Sequence, residues 1–267
     1  ERATRLAAPL PGPVMAAATG QARELLDAMA PAHRARLAGV GLALPGEMDA
    51  WADELGAPKA ALAGWRAVDP QAALAHATGA EVTVFNDAAA ACAAEMLAGE
   101  AIVEGSALYV HVGAFIGAGV VLEGRLFRGA RLNAGALGSM PLAGRGPGAK
   151  GRQLIHAASA VGLARRLRAA GVDVTHAMAG VGGPEADAPF EEWLAGAAPA
   201  LARAVVSALA VIDFEAVVID GVLPRAWRGR LLDETHDAIL RFDRTGLSRA
   251  SLREGTVGGE ARVLGAA

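Results

Sequence analysis

Apolar and polar positions change period several times along this 267-residue chain, and each change predicts an element. Arg2 to Leu10 reads as a strand, stopped by Pro9-Leu-Pro-Gly-Pro13. From Val14 to Ala30, Met15, Leu25, Leu26 and Met29 recur among alanines at helical spacing. Gly39-Val-Gly-Leu-Ala-Leu-Pro-Gly46 is a short apolar run ending in a Pro-Gly turn, the signature of a buried strand. Gln71 to Thr78 predicts a short helix and Glu81 to Phe85 a strand. Asp87 then opens an alanine-rich helix reaching about Gly99, where an N-terminal carboxylate suits the helix dipole.

Ala107 to Val112 and Gly117 to Leu122 read as paired strands joined through Gly113 to Ile116. Glu123-Gly124 supplies a tight turn into Arg125-Leu-Phe127, a second hairpin signal. A Gly/Pro-rich loop covers Ala143 to Gly151. Helices are expected over Gln153 to Ala170, Phe190 to Ile212, Arg225 to Arg241 and Glu260 to Ala266, with strands at Ala216 to Ile219 and Ser248 to Arg253. Strands alternating with helices, with hairpins between, indicate an α/β protein of two lobes. The expected lobes are residues 1–105 and 106–267, with a ligand cleft between them.

Composition removes several alternatives. Hydrophobic residues make up 53%, but aromatics only 4%, so the positive mean hydropathy reflects small side chains. The most apolar stretch, Ala197 to Leu223, is interrupted by Arg203, Asp213, Glu215 and Asp220, too often for a membrane span. Neither a signal peptide nor a membrane anchor is legible, and a cytoplasmic location is expected. The net charge of −3 supplies no basic field for nucleic acid. The single cysteine, Cys92, excludes an intrachain disulfide and a cysteine-cluster zinc site, so no metal is expected. Cys92 and His111 read as core residues, His111 as a hydrogen-bonded one, while Trp65 either packs beneath a cleft or stacks on a sugar ring. Gly144 to Lys150 has the glycines of a phosphate loop but not its Gly-Lys-Ser/Thr ending.

The candidate chemistry lies in three neighbouring stretches. In Asn86-Asp87, a carboxylate at a strand-to-helix junction either caps its helix or accepts the proton of an attacking hydroxyl, and the adjacent amide can hold sugar hydroxyls. Gly113-Ala-Phe-Ile-Gly-Ala-Gly119 lets backbone N–H groups approach a phosphate. Asn133-Ala-Gly-Ala-Leu-Gly-Ser139 adds a second loop.

With Gly39 to Gly46, Gly64-Trp65, Gly124 to Gly129, Ile219-Asp-Gly221 and Gly258 to Ala266 in the same order, the chain resembles the ROK family of bacterial sugar kinases and sugar-responsive repressors. The resemblance implies an actin-like ATPase fold of the ribonuclease H-like type. It implies that Gly46, Asn86, Asp87 and Ser139 face a sugar, with Asp87 as the base in kinase members. Gly113, Gly117 and Gly119 would lie near phosphate and Gly221 near adenosine.

The departures from the family pattern bear on function. Ala114 and Phe115 stand where a hydroxyl residue and a glycine are usual. Ala136 and Ser139 replace the glutamate and histidine of the sugar loop, and the following loop carries no cysteine. One lost transition-state donor typically costs about 3 kcal/mol, and several losses leave little phosphoryl transfer. The expected function is therefore the sugar-binding effector and oligomerisation domain of a transcriptional regulator. It would act as a homodimer or homotetramer and need no cofactor. DNA would be met by a helix-turn-helix domain preceding residue 1. The alternative is an ATP-dependent sugar kinase with Asp87 as base, requiring ATP and Mg²⁺.

Overall fold

The computed structural model describes residues 4, 6, 8–46, 48–55, 57–143 and 151–267. It divides into two compact units, residues 1–87 with 266–267, and residues 88–265. Gly144 to Lys150, the loop with a partial phosphate-loop signature, lies outside the described residues.

In the first unit, α1 (Pro11–Asp27) begins earlier than the apolar spacing implies, because Pro11 and Pro13 have their φ preset for a first helical turn. The strand expected over residues 2–10 is not formed by the residues described there. Instead, the indole N–H of Trp65 donates to the Pro9 carbonyl at 2.8 Å, and Leu10 packs against the Trp65 cluster. Trp65 is buried, so it serves packing. Strands β1 (Val40–Leu44) and β2 (Val82–Asn86) pair in parallel. Between them runs α2 (Pro70–Thr78), started by the Asp69 carboxylate accepting from Ala72 N at 2.9 Å and ended by Gly79 at φ 67°. Gly41 is required in β1: a Cβ there would stand 1.5 Å from the Ala266 carbonyl oxygen.

The second unit is built on a five-stranded sheet. β3 (Ala107–Val112), β4 (Ile116–Leu122) and β5 (Arg125–Phe127) form an antiparallel meander, as the two turn signals imply. β6 (Ala216–Gly221) adds in parallel to β3, and β7 (Ser251–Glu254) in parallel to β6, giving the order β5-β4-β3-β6-β7. Helix α3 (Asp87–Ala98) brings Ala91, Cys92 and Ala94 onto a core with Tyr109, Val121, Val218 and Ala261. Small side chains on α3 allow this close approach, and the helix is buried from Ala88 to Cys92 and at Ala94 and Glu95.

The helical stretch expected from Gln153 is two helices, α4 (Leu154–Ala158) and α5 (Ala160–Ala169). Ser159 breaks it with an extended backbone, its hydroxyl accepting from Ile116 N and its carbonyl from the Trp193 indole. Helix α6 (Asp187–Leu209) and α7 (Arg225–Leu240) pack together, with the Phe190 and Trp227 rings stacked at 4.6 Å. Phe190 and Trp193 are each 1% exposed, and burying such a side chain contributes about 2–3 kcal/mol. The closing helix is α8 (Ala261–Ala266). Among the described residues no helix is long and apolar enough to cross a membrane.

Candidate functional site

In the first unit, the parallel register pairs Leu44 with Asn86, so β1 and β2 end at the same edge. Gly46 therefore follows one strand where Asn86 and Asp87 close the other. The carboxyl ends of neighbouring parallel strands are where α/β sheets place ligand-facing groups, because the chain turns there and exposes its polar atoms. Asp87 is the first residue of α3, and Asn86 and Asp87 are half-buried, both engaged with other protein groups. Gly46 is exposed.

In the second unit, the hairpin from Gly113 to Gly119 joins β3 to β4. Its tip is tied down internally. Gly113 N donates to the Phe115 carbonyl at 3.2 Å and Ile116 N to Ser159 Oγ at 3.0 Å. The carbonyls of Gly113 and Ala114 accept from Ala160 N and Val161 N at the start of α5. Two of the tip's N–H groups are thus committed to the protein itself. Gly117 and Gly119 face α3: added Cβ atoms would stand 2.9 Å from Ala88 Cβ and 2.2 Å from Cys92 Cβ. Helix packing alone requires a glycine at both places.

Ser139 ends a short 3₁₀ turn, Leu137–Ser139, docked on β4, where Ala118 N donates to the Gly135 carbonyl at 2.9 Å. Ser139 is exposed and lines an apolar groove of about 450 Å³ with Ala136, Met140 and the end of α6. Gly221 ends β6 at φ 135°, in van der Waals conflict with Val112 O for any Cβ.

Beneath Gly221 lies a buried polar network. Asp220 is fully buried, and its Oδ2 accepts from Tyr109 Oη at 2.8 Å and from Gly258 N at 2.9 Å. Arg228 Nη1 lies 3.0 Å from Asp220 Oδ1, and Arg228 Nε donates to Glu254 Oε1 at 2.9 Å. The Arg228–Asp220 contact lacks hydrogen-bond alignment, so it acts through charge. Burial, and then the Asp220 carboxylate, push the Tyr109 hydroxyl pKa far up, keeping it a neutral donor. The network ties the ends of β6 and β7 to α7 and to the turn at Gly258.

His111 sits beside this network, paired in register with Asp220. It is buried as expected, but neither ring nitrogen has a hydrogen-bond partner among the described residues. Its ring edge is 3.1–3.3 Å from where a Gly113 Cβ would lie, so packing under the hairpin positions it. Burial, aided by the Arg262 charge, lowers its pKa to about 3.

The sequence reading missed Glu95, which is fully buried on α3. Burial alone would raise its pKa. Hydrogen bonds from the Thr256 hydroxyl and the N–H groups of Ala101, Thr256 and Val257 outweigh that and hold the carboxyl below its ordinary value. A lone acid inside an alanine run was the only available signal. Among the described residues no three His, Cys, Asp or Glu side chains gather to hold a metal ion.

The family model described as ROK family matches residues 11–267. The chain belongs to the ROK family. It is 34% identical over 195 residues to the bifunctional enzyme NanE/NanK of Brucella melitensis, covering 72% of this chain and 35% of that protein. The match thus spans about a third of the length of these curated relatives. Among solved structures, the ROK hexokinase of Thermus thermophilus matches with a TM-score of 0.62 and 28% identity, over 99% of this chain and 87% of that one. A ROK family transcriptional regulator, homologous to the Escherichia coli Mlc protein, matches with a TM-score of 0.62 and 21% identity, over 95% and 67% of the two chains. This ROK protein has the actin-like ATPase fold of these relatives.

Proposed function

We propose that this chain is the sugar-binding effector domain of a ROK-family transcriptional regulator, with little or no phosphoryl transfer. One observation carries the reading: the hairpin presents Ala114 and Phe115 and spends the N–H groups of Gly113 and Ile116 on Phe115 O and Ser159 Oγ. A phosphate site needs preorganised donors aimed at the ligand, and these donors are aimed at the protein. The sugar side keeps Asn86 and Asp87 at the shared end of β1 and β2. A sensor requires that retention but not the phosphate grip. A sugar or sugar derivative bound at Gly46, Asn86 and Asp87 would favour one conformation over another. DNA contact would be made by a domain outside this chain, in a homodimer or homotetramer, in the cytoplasm. The fold match to a ROK transcriptional regulator supports the reading at the level of architecture.

A second reading is favoured by the 34% identity to NanE/NanK and the 28% identity to a hexokinase. In it, Asp87 is the base of an ATP- and Mg²⁺-dependent sugar kinase, with Gly113, Gly117, Gly119 and Gly221 on the nucleotide side. An ADP-release assay over a panel of hexoses and N-acetylated hexosamines, paired with calorimetry on the same panel, separates the two. The sensor reading expects a sugar that binds the native protein and not Asp87→Asn, with no sustained ADP release. Asp87-dependent turnover above about 1 s⁻¹, within the range of ordinary enzymes, overturns it in favour of the kinase.

A further inference from the structure

The sheet of the second unit carries a cleft at the end remote from Gly221. It is about 340 Å³ in volume and lies among α6, α7, the starts of β6 and β7, and the chain linking α7 to β7. Its inner lining is apolar: Val217 and Ile239 are buried and Leu252 half-buried. Arg244, Arg249, His236 and Ser248 line it as well.

The arginines are the informative part. Three guanidiniums of this unit, on Arg228, Arg230 and Arg253, meet carboxylates, and others such as Arg166 and Arg241 do not among the described residues; what sets Arg244 and Arg249 apart is that they share one cleft. Among the described residues no carboxylate pairs with Arg244 or Arg249, and both are exposed. The nearby acid Asp243 is not in the cleft lining, and its carboxylate accepts from Thr245 N at 3.0 Å. Two uncompensated guanidinium forks in a cleft with an apolar inner lining complement one kind of molecule: an oxyanion joined to a compact apolar body. The fork matches a carboxylate or phosphate bidentately, and the apolar lining rewards burial of hydrocarbon. The volume falls within the range of small-ligand sites. A free sugar suits it poorly, since its hydroxyls would meet Val217, Ile239 and Leu252 without partners.

The geometry points to a second ligand site here, for a small organic carboxylate or phosphate monoester held by Arg244 and Arg249 in the cleft lined by Val217 and Leu252. Its lining shares no residue with those proposed to face a sugar. Val217 and Leu252 are paired in register, and the same two strands carry Asp220 and Glu254, the partners of Arg228, toward their other ends. The distance is two or three residues of strand, on the order of 10 Å.

The test titrates the whole chain by calorimetry with phenyl phosphate, benzoate and uncharged benzyl alcohol. The two anions distinguish a phosphate-selective site from a carboxylate-selective one. Expected is saturable binding of at least one anion, none of benzyl alcohol, and a loss of affinity of about tenfold or more in Arg244→Gln/Arg249→Gln. Removal of charge-assisted hydrogen bonds has that scale. Asp87→Asn should bind the anion unchanged, so the result does not depend on the sugar reading. The inference is overturned if neither anion binds below about 20 mM, which is weaker than millimolar ligands. Binding that persists in the double variant, or that disappears in Asp87→Asn, also overturns it.

Discussion

Replacing Glu95 by glutamine should destabilise the second unit strongly, because its carboxylate is fully buried and accepts four hydrogen bonds. Oε1 accepts from Ala101 N at 3.0 Å and Thr256 Oγ1 at 2.7 Å, and Oε2 from Thr256 N at 2.9 Å and Val257 N at 3.1 Å. A glutamine amide does best with its NH₂ toward Ala101 N and the Thr256 hydroxyl, which can reverse to accept it, so the charge is lost and the Ala101 N–H faces a donor. At about 1.5–3 kcal/mol for the lost charge-assisted bond, plus weakening of the others, the loss is about 2–4 kcal/mol. That is a large part of the ~5–15 kcal/mol stability of an ordinary domain. Thr256→Val, which removes one donor, should cost about 1–2 kcal/mol.

Urea unfolding at pH 7, followed by circular dichroism, measures both. Because the folded carboxyl pKa lies below the ordinary value of 4.5, its stabilisation is complete above that value. It is lost as pH falls through the folded pKa. The gap between native protein and Glu95→Gln should therefore be flat from pH 8 to about 5 and narrow below. A gap under about 1 kcal/mol at pH 7 would refute the assignment of Glu95 as a clamp between α3 and the chain before α8.

Two further outcomes follow from buried groups near the hairpin. His111 has its pKa lowered from 6.5 to about 3, so between those values the unfolded chain binds the extra proton. Stability should fall as pH drops from 6.5, at about 1.4 kcal/mol per unit, or about 2 kcal/mol by pH 5. His111→Phe should flatten that slope in thermal melts, and parallel profiles for the two proteins would rule the account out. Burial, and then the Glu95 charge, push the Cys92 thiol up to about 12. An aromatic disulfide reagent at pH 8 should label Cys92 only at the rate at which the unit opens, and rapid labelling of the native protein would show the helix packing to be wrong.

The course of the chain was largely legible because it depends on local rules. Apolar runs separated by Gly-containing turns located β3, β4 and β5, and the helix expected over Gln71 to Thr78 is α2. Errors fell where distant contacts decide. Nothing local marks Ser159 as a break, since its hydroxyl is claimed by Ile116 of a different strand. Residues 8–10 look strand-like but are held by Trp65, 56 positions along the chain from Pro9.

The candidate site divides in the same way. Sequence alone placed Asn86 and Asp87 at a strand-to-helix junction and marked the hairpin glycines, since both are properties of adjacent residues. Tertiary structure decided that Gly117 and Gly119 are required by α3, that the hairpin's donors are spent inside the protein, and that Arg244 and Arg249 share a cleft. It also decided that the buried Glu95 accepts from Thr256 and Val257, and the buried Asp220 from Tyr109, each more than a hundred positions away. Backbone conformation answers to neighbours a few residues off, whereas burial, charge pairing and donor commitment depend on which distant segments the fold brings together.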